Sequence, residues 1–278
     1  MTRQWRIEYE NALYHVMSRG NEQLDIVRDD HDREKFLEIL GNMSKRHGVE
    51  VHAYVLMNNH YHLLLRTPRA NLSKSMQWFA VSYTRYFNTR HVRNGHLFQG
   101  RFKSILMEND AYLTQLSCYI HRNPVRAGIV NRLINYRWSS YQAYAYNRNK
   151  AEWLETSLVL SQFQKRSKHT SYRNHMQQYA DEEKRILEDV QYGLLLGGQE
   201  FAEGIKNKFL QEVKPEAELP QQKQILKADN VELKLREAAV ALGLDMEEMA
   251  VQGRVKQKDK EKRDLLLYAV WETGSYTN

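Results

Sequence analysis

The 278-residue chain carries one cysteine, Cys118, which excludes an intramolecular disulfide framework and a zinc site built from several thiolates. No run of about 18 apolar residues occurs, and the N-terminal MTRQWRIEYENALYHV has no apolar core of a secretory signal, so a soluble protein of a reducing, cytoplasmic compartment is expected, with no membrane partner. The net charge of +7 is concentrated: residues 66–137 hold 12 Lys and Arg against Glu108 and Asp110 alone, the footprint of a polyanion partner.

In chain order, ALYHVMSR (12–19) reads as a strand ended by Gly20 and Asn21. Asp29 or Asp30 caps a helix whose apolar positions Phe36, Leu37, Leu40 and Met43 follow the helical period. Residues 49–57 and 60–67 read as two strands joined by a tight Asn58-Asn59 turn. Asn71 caps a second helix with Leu72, Met76, Phe79, Tyr83 and Tyr86 inward, and a strand follows at about 98–108. Asn109 or Asp110 caps a third helix, expected to end near Asn123 because Pro124 disfavours helical geometry in the residue before it. The order β-α-β-β-α-β-α predicts an α+β fold, an antiparallel sheet with packed helices. From about 148 the composition shifts. Residues 157–212 read as polar helix broken at Gly197-Gly198, 214–224 as a proline-containing linker, and 230–272 as helix again.

The chemistry-bearing residues fall in the basic half. His60 and His62 are two apart in a strand, so both imidazoles project from one face while Tyr61, Leu63 and Leu65 point to the other. Two imidazoles at that spacing can chelate a divalent metal only with a further ligand; otherwise the pair is a surface or core feature. On the third helix Leu113, Leu116 and Ile120 form an apolar stripe, and Tyr112, Gln115, Tyr119 and Asn123 a neighbouring one. A phenol can serve as nucleophile and an amide oxygen as metal ligand, although a tyrosine at the edge of a core is the commoner arrangement. Cys118 reads as a small buried hydrophobe.

YHVMSRGN (14–21), YVLMNNHYHLLLRT (54–67), NGHLFQGRFKSILMEND (94–110), YLTQLSCYIHRNPVRAGIV (112–130) and WSSYQAY (138–144) resemble, in order and spacing, the REP-associated tyrosine transposases of the HUH single-strand transposase family, the HUH motif being His60-Tyr61-His62. The resemblance implies a ferredoxin-like domain that cuts and rejoins single-stranded or hairpin DNA, and a nucleoid-associated setting. It assigns Mg²⁺ or Mn²⁺ to His60, His62 and Asn123, and the nucleophile to Tyr119. His121, two residues from Tyr119, faces elsewhere and stays outside the site. The 5′-phosphotyrosine link would conserve the bond energy, so no nucleotide cofactor is expected, in keeping with the lack of a phosphate-loop motif. Arg66, Arg101, Lys103, Arg122 and Arg126 lie in or beside these motifs and would hold the DNA backbone, Arg101 and Lys103 sharing a strand face. Tyr136, Trp138, Tyr141, Tyr144 and Tyr146 either stack on bases or pack as a lid.

The expected organisation is a catalytic domain over 1–147, a helical accessory region over 148–213, a linker over 214–229 and a helical segment over 230–278. That last segment resembles the start of the DnaA C-terminal DNA-binding domain, with the chain ending about where its helix-turn-helix would begin. A hairpin-binding protein that does not cut, and an RNA-binding role, are the competing readings. Monomer and dimer are both left open.

Overall fold

A computed structural model of the chain describes residues 6–108, 112–163, 166–178, 190–191 and 193–210. The expected Asn109 or Asp110 cap, the linker over 214–229 and the segment over 230–278 lie outside the described residues.

Strand β1 (Ala12–Arg19) leads to helix α1 (Asp30–His47), the hairpin β2 (Glu50–Leu56) and β3 (His60–Thr67), helix α2 (Leu72–Arg90), strand β4 (Lys103–Met107) and helix α3 (Leu113–Arg126). Asp29 caps α1 by accepting from the Asp32 N–H at 3.0 Å, and Gly48 closes it at φ 66°, a conformation that favours glycine. Asn71 stands at the start of α2 but does not cap it; its amide instead donates to the His47 carbonyl at the end of α1.

The sheet order is β2-β3-β1-β4, continued by two short strands, β6 (Leu195–Leu196) and then β5 (Val190–Gln191). The first four strands are antiparallel and carry the ferredoxin-like arrangement. The sheet as a whole is mixed, because β6 runs parallel to β4 and pairs antiparallel with β5. Parallel pairing is open to β6 because a long crossover separates it from β4. These short strands stand in a stretch whose polarity suggested helix throughout. The crossover includes α4 (Tyr141–Tyr146), α5 (Ser157–Leu160) and α6 (Lys168–Gln178), and α7 (Gln199–Leu210) follows β6. Arg6–Asn207 form one compact unit; of the other, Met1–Trp5 with Lys208–Asn278, only the last turn of α7 is among the described residues.

Helices α1 and α2 cover one sheet face. Phe36 meets Phe79 and Tyr83 with ring centroids 5.0 Å apart and Tyr61 at 5.3 Å. Leu63, Leu64 and Leu65 on β3 are wholly buried, each contributing about 1.5–3 kcal/mol. Helix α3 packs against β2 and β3.

Two boundaries differ from expectation. Strand β4 begins at Lys103, not near 98, because Gly100 turns the chain at φ 100°; Arg101 therefore lies before the strand and shares no strand face with Lys103. Helix α3 runs through Pro124 to Arg126. Proline leaves the Ile120 carbonyl without its usual backbone donor, and the Asn123 side-chain amide donates to that carbonyl at 3.2 Å and to the Tyr119 carbonyl at 2.9 Å.

Candidate functional site

The alternation of β3 sends Tyr61 into the core beneath α1 and α2 and turns His60 and His62 to the α3 face. The strand register fills in their neighbours. Arg19 on β1 stands opposite His60, and Lys103, Met17 and His62 form one row across β4, β1 and β3. In the next row on that face, Ile105, His15 and Leu64 line up, so His15 is diagonal to His62. The His15 and His62 rings stack 5.1 Å apart, with His15 Nε2 and His62 Nδ1 at 2.9 Å. His60 and His62 meet edge to face at 5.2 Å.

The loop before β3 fixes His60. Gly20 N–H donates to the Asn59 carbonyl and Ile26 N–H to that of Asn58, holding the hairpin turn against the 3-10 turn Asn21–Gln23. A β-carbon on Gly20 would lie 1.9 Å from the Leu24 carbonyl oxygen, so only glycine allows this approach. The Asn59 amide donates to the Gln23 carbonyl at 3.2 Å, and its Oδ1 lies 2.7 Å from His60 Nδ1. That oxygen only accepts, so His60 carries its proton on Nδ1 and its lone pair on Nε2.

Helix α3 brings Tyr119 to the imidazoles, with Asn123 and Arg126 further along the same helix. The Tyr119 ring meets His62 edge-on at 5.9 Å and His15 at 5.8 Å. Two turns on, the Arg126 guanidinium carbon sits 4.4 Å from the Tyr119 ring centroid and Nη2 donates to Asn123 Oδ1 at 2.7 Å. Burial, reinforced by Arg126, lowers the His15 pKa to about 3. His62 is pushed well below the usual histidine value by burial, then by His15, His60 and Arg126. Half-buried His60 is lowered by burial, Arg126 and Arg19. All three imidazoles are therefore neutral at pH 7, the form that can ligate a metal.

His60, His62 and Tyr119 thus come together, with Arg126 against the Tyr119 ring and Asn123 against Arg126, and exposed Lys103 stands on the same face as the histidines. Arg101 is exposed just before β4. Arg66 is held by Glu50 and by Asn11 six residues along β3 from His60, about 20 Å away. Arg122 points to the Met176 carbonyl on α6 at 3.5 Å. Tyr136, Trp138, Tyr141 and Tyr144 are buried; the Tyr136 and Tyr144 hydroxyls donate to the Leu56 and His52 carbonyls, so these rings pack as a lid on β2 and leave no face for bases. Buried His121 bridges Ser140 Oγ and the Tyr172 hydroxyl, away from Tyr119.

His15, Arg19 and Asn59 escaped the sequence reading. His15 lies in the alternating pattern of β1, but its approach to His62 depends on a register between strands far apart in sequence. Among the described residues no group of three or more His, Cys, Asp and Glu side chains is placed to hold a metal ion, so any cation here would rest on two imidazoles and an amide oxygen. Asn123 Oδ1 retains a second lone pair beyond the one facing Arg126, and that donor set fits a cation such as Mn²⁺ whose other positions go to phosphate and water. No helix among the described residues is long and apolar enough to cross a membrane.

Comparison with solved structures gives a REP-associated tyrosine transposase bound to a REP hairpin, 16% identical over 56% of this chain and 92% of that one, with a TM-score of 0.46. A candidate transposase from Deinococcus radiodurans R1 is 17% identical over 46% of this chain and 96% of that one, at a TM-score of 0.32. No curated protein matches the chain. The family described as IS200-like transposase matches residues 8–123, the segment from the strand that bears His15 to the helix that bears Tyr119 and Asn123. The matched segment contains His60, His62, Tyr119 and Asn123, and over it the chain is similar to the IS200-like transposases.

Proposed function

We propose that the chain cleaves and rejoins single-stranded DNA beside a hairpin, through a covalent bond to Tyr119. The observation that carries this reading is the Tyr119 phenol held edge-on to His62 beneath the Arg126 guanidinium. The family match over residues 8–123 and the positive charge of 66–137 support DNA as the substrate. The Tyr119 oxygen forms a bond to phosphorus and the bond from phosphorus to the 3′ oxygen breaks. The phenol loses its proton, the 3′ oxygen gains one, and the DNA keeps a 5′-phosphotyrosine. Rejoining reverses these steps with a 3′-hydroxyl as attacking group. Arg126 offers the phosphodiester a fixed positive charge beside the nucleophile, and Lys103 and Arg19 extend that charge along the same sheet face.

His60, His62 and Asn123 would hold Mg²⁺ or Mn²⁺. When bound, the ion supplies Lewis-acid polarisation of the phosphate oxygens. Incubation of the full chain with a labelled hairpin oligonucleotide bearing single-stranded flanks, in Mg²⁺ or Mn²⁺, is expected to give a protein–DNA adduct that survives a denaturing gel. The Tyr119→Phe variant is expected to give none; an equal band from that variant overturns the assignment of the nucleophile.

A second reading, hairpin binding without cleavage, draws on the Arg126 contact that already engages Asn123 Oδ1. It predicts hairpin binding that survives chelation and no adduct in any metal. Competition between DNA and RNA hairpins separates either reading from an RNA role, because only RNA offers the 2′-hydroxyl.

A further inference from the structure

The contact between His15 and His62 has room for one proton. If His15 Nε2 donates, the proton of neutral His62 lies on Nε2, and that nitrogen has no lone pair to offer. If His62 Nδ1 donates, the Nε2 lone pair is free. The two tautomers are equivalent in geometry and opposite in chemistry.

His60 shows which arrangement the site is built around. Its Nδ1 faces Asn59 Oδ1 at 2.7 Å, and Asn59 is oriented by its own donation to the Gln23 carbonyl, so the free nitrogen of His60 is Nε2. The two imidazoles project from one face of one strand, 5.2 Å apart. They can grip one cation together only if each presents an unprotonated nitrogen to it. His62 Nδ1 is occupied by His15, which leaves Nε2 as its only free ligand atom.

We infer that His15 is a positioning residue for His62: its Nε2 accepts the His62 Nδ1 proton and so keeps the His62 Nε2 lone pair directed outward. His15 does for His62 what Asn59 does for His60. An outer acceptor of this kind fixes both the tautomer and the ring orientation of a metal-ligating histidine. His15 is only 1% exposed and comes from β1, so this support is part of the sheet itself and is set before any ligand arrives. Its own proton then lies on Nδ1.

The inference rests on the proposed metal-binding function, and two measurements keep the two apart. Long-range ¹H–¹⁵N correlation spectra of the metal-free full chain report each ring nitrogen directly. Protonated Nδ1 and bare Nε2 are expected on both His62 and His15, and a protonated Nε2 on His62 overturns the inference. Mn²⁺ binding is then followed by the loss of the free-ion electron paramagnetic resonance signal. His15→Phe fills the ring volume without an acceptor and is expected to weaken Mn²⁺ binding about 10- to 100-fold. His15→Gln, whose amide oxygen can accept, is expected to restore most of it. A purely packing role predicts the reverse order, and parental affinity in His15→Phe refutes the assignment. If the parent itself takes up no Mn²⁺, the metal reading fails by itself while the ring-nitrogen spectra still decide the role of His15.

Discussion

Arg122 and Arg126 stand one turn apart on α3, and their surroundings separate them. Arg126 lies over the Tyr119 ring and acts electrostatically on His15, His60 and His62, whereas Arg122 reaches the backbone of α6. Hairpin affinity measured by fluorescence anisotropy in chelator, across a range of NaCl, tests the distinction. Arg126→Gln is expected to weaken binding and lower the salt slope by about one ion, while Arg122→Gln and Arg66→Gln leave the slope near that of the parent. Equal losses at Arg126 and Arg122 count against the site as drawn. This division was half legible in the sequence. Tyr119 and Arg126 are seven apart, two helical turns, so their shared face follows from spacing alone. The capture of Arg122 by Met176 and of Arg66 by Glu50 and Asn11 depends on contacts that no local pattern records.

At the scale of elements, α3 is the piece that must be held in place, because Tyr119 rides on it through a proline. The Asn123 amide supplies the donor that Pro124 removes at the Ile120 carbonyl, so one residue both sustains the helix and holds Arg126 through its Oδ1. Asn123→Ala in metal-free protein is expected to lower stability by about 1–2 kcal/mol in a denaturant titration. In a Pro124→Ala background the backbone N–H returns, the bond to Ile120 becomes redundant and the same substitution costs less. Identical costs in the two backgrounds show that the amide does not substitute for the missing donor. Proline after the proposed ligand reads from sequence as a stop signal. It is not one here because the preceding side chain repairs the ladder, a compensation visible only once rotamers are known. The bounds of β1, β2 and β3 and the starts of α1 and α2 were legible to within a residue or so, since alternation, the Asp29 cap and the Asn58-Asn59 turn all act locally. The parallel β4–β6 pairing was not, because two-residue strands carry no periodicity of their own.

For the molecule as a whole, buried neutral histidines tie its stability to pH. His121 is fully buried between Ser140 and Tyr172, joining α3 to the lid and to α6, and burial lowers its pKa to about 3. His15 is lowered to about 3 by burial and Arg126, and His62 moves in the same direction. In the unfolded chain each returns to about 6.5. Between about pH 6.5 and 3 the unfolded state therefore binds more protons than the folded one. Stability rises with pH through that window and is lost on acidification below about 6.5, at up to about 1.4 kcal/mol per pH unit for each such histidine. Asp32, buried and held below the ordinary aspartate range by the Arg28 N–H, Arg90 and His91 against an opposing burial effect, adds a loss of the same sign lower in pH, as the carboxylate takes up its proton. Guanidinium titrations of metal-free protein at pH 7, 6 and 5 are expected to show falling stability, and His121→Gln, which removes one of the titrating groups, is expected to flatten the fall by about 1 kcal/mol per unit between pH 6 and 5. If the variant and parent decline in parallel, His121 is not held neutral in the fold, and the polar bridge that fixes α3 over the histidines must be assigned to other groups.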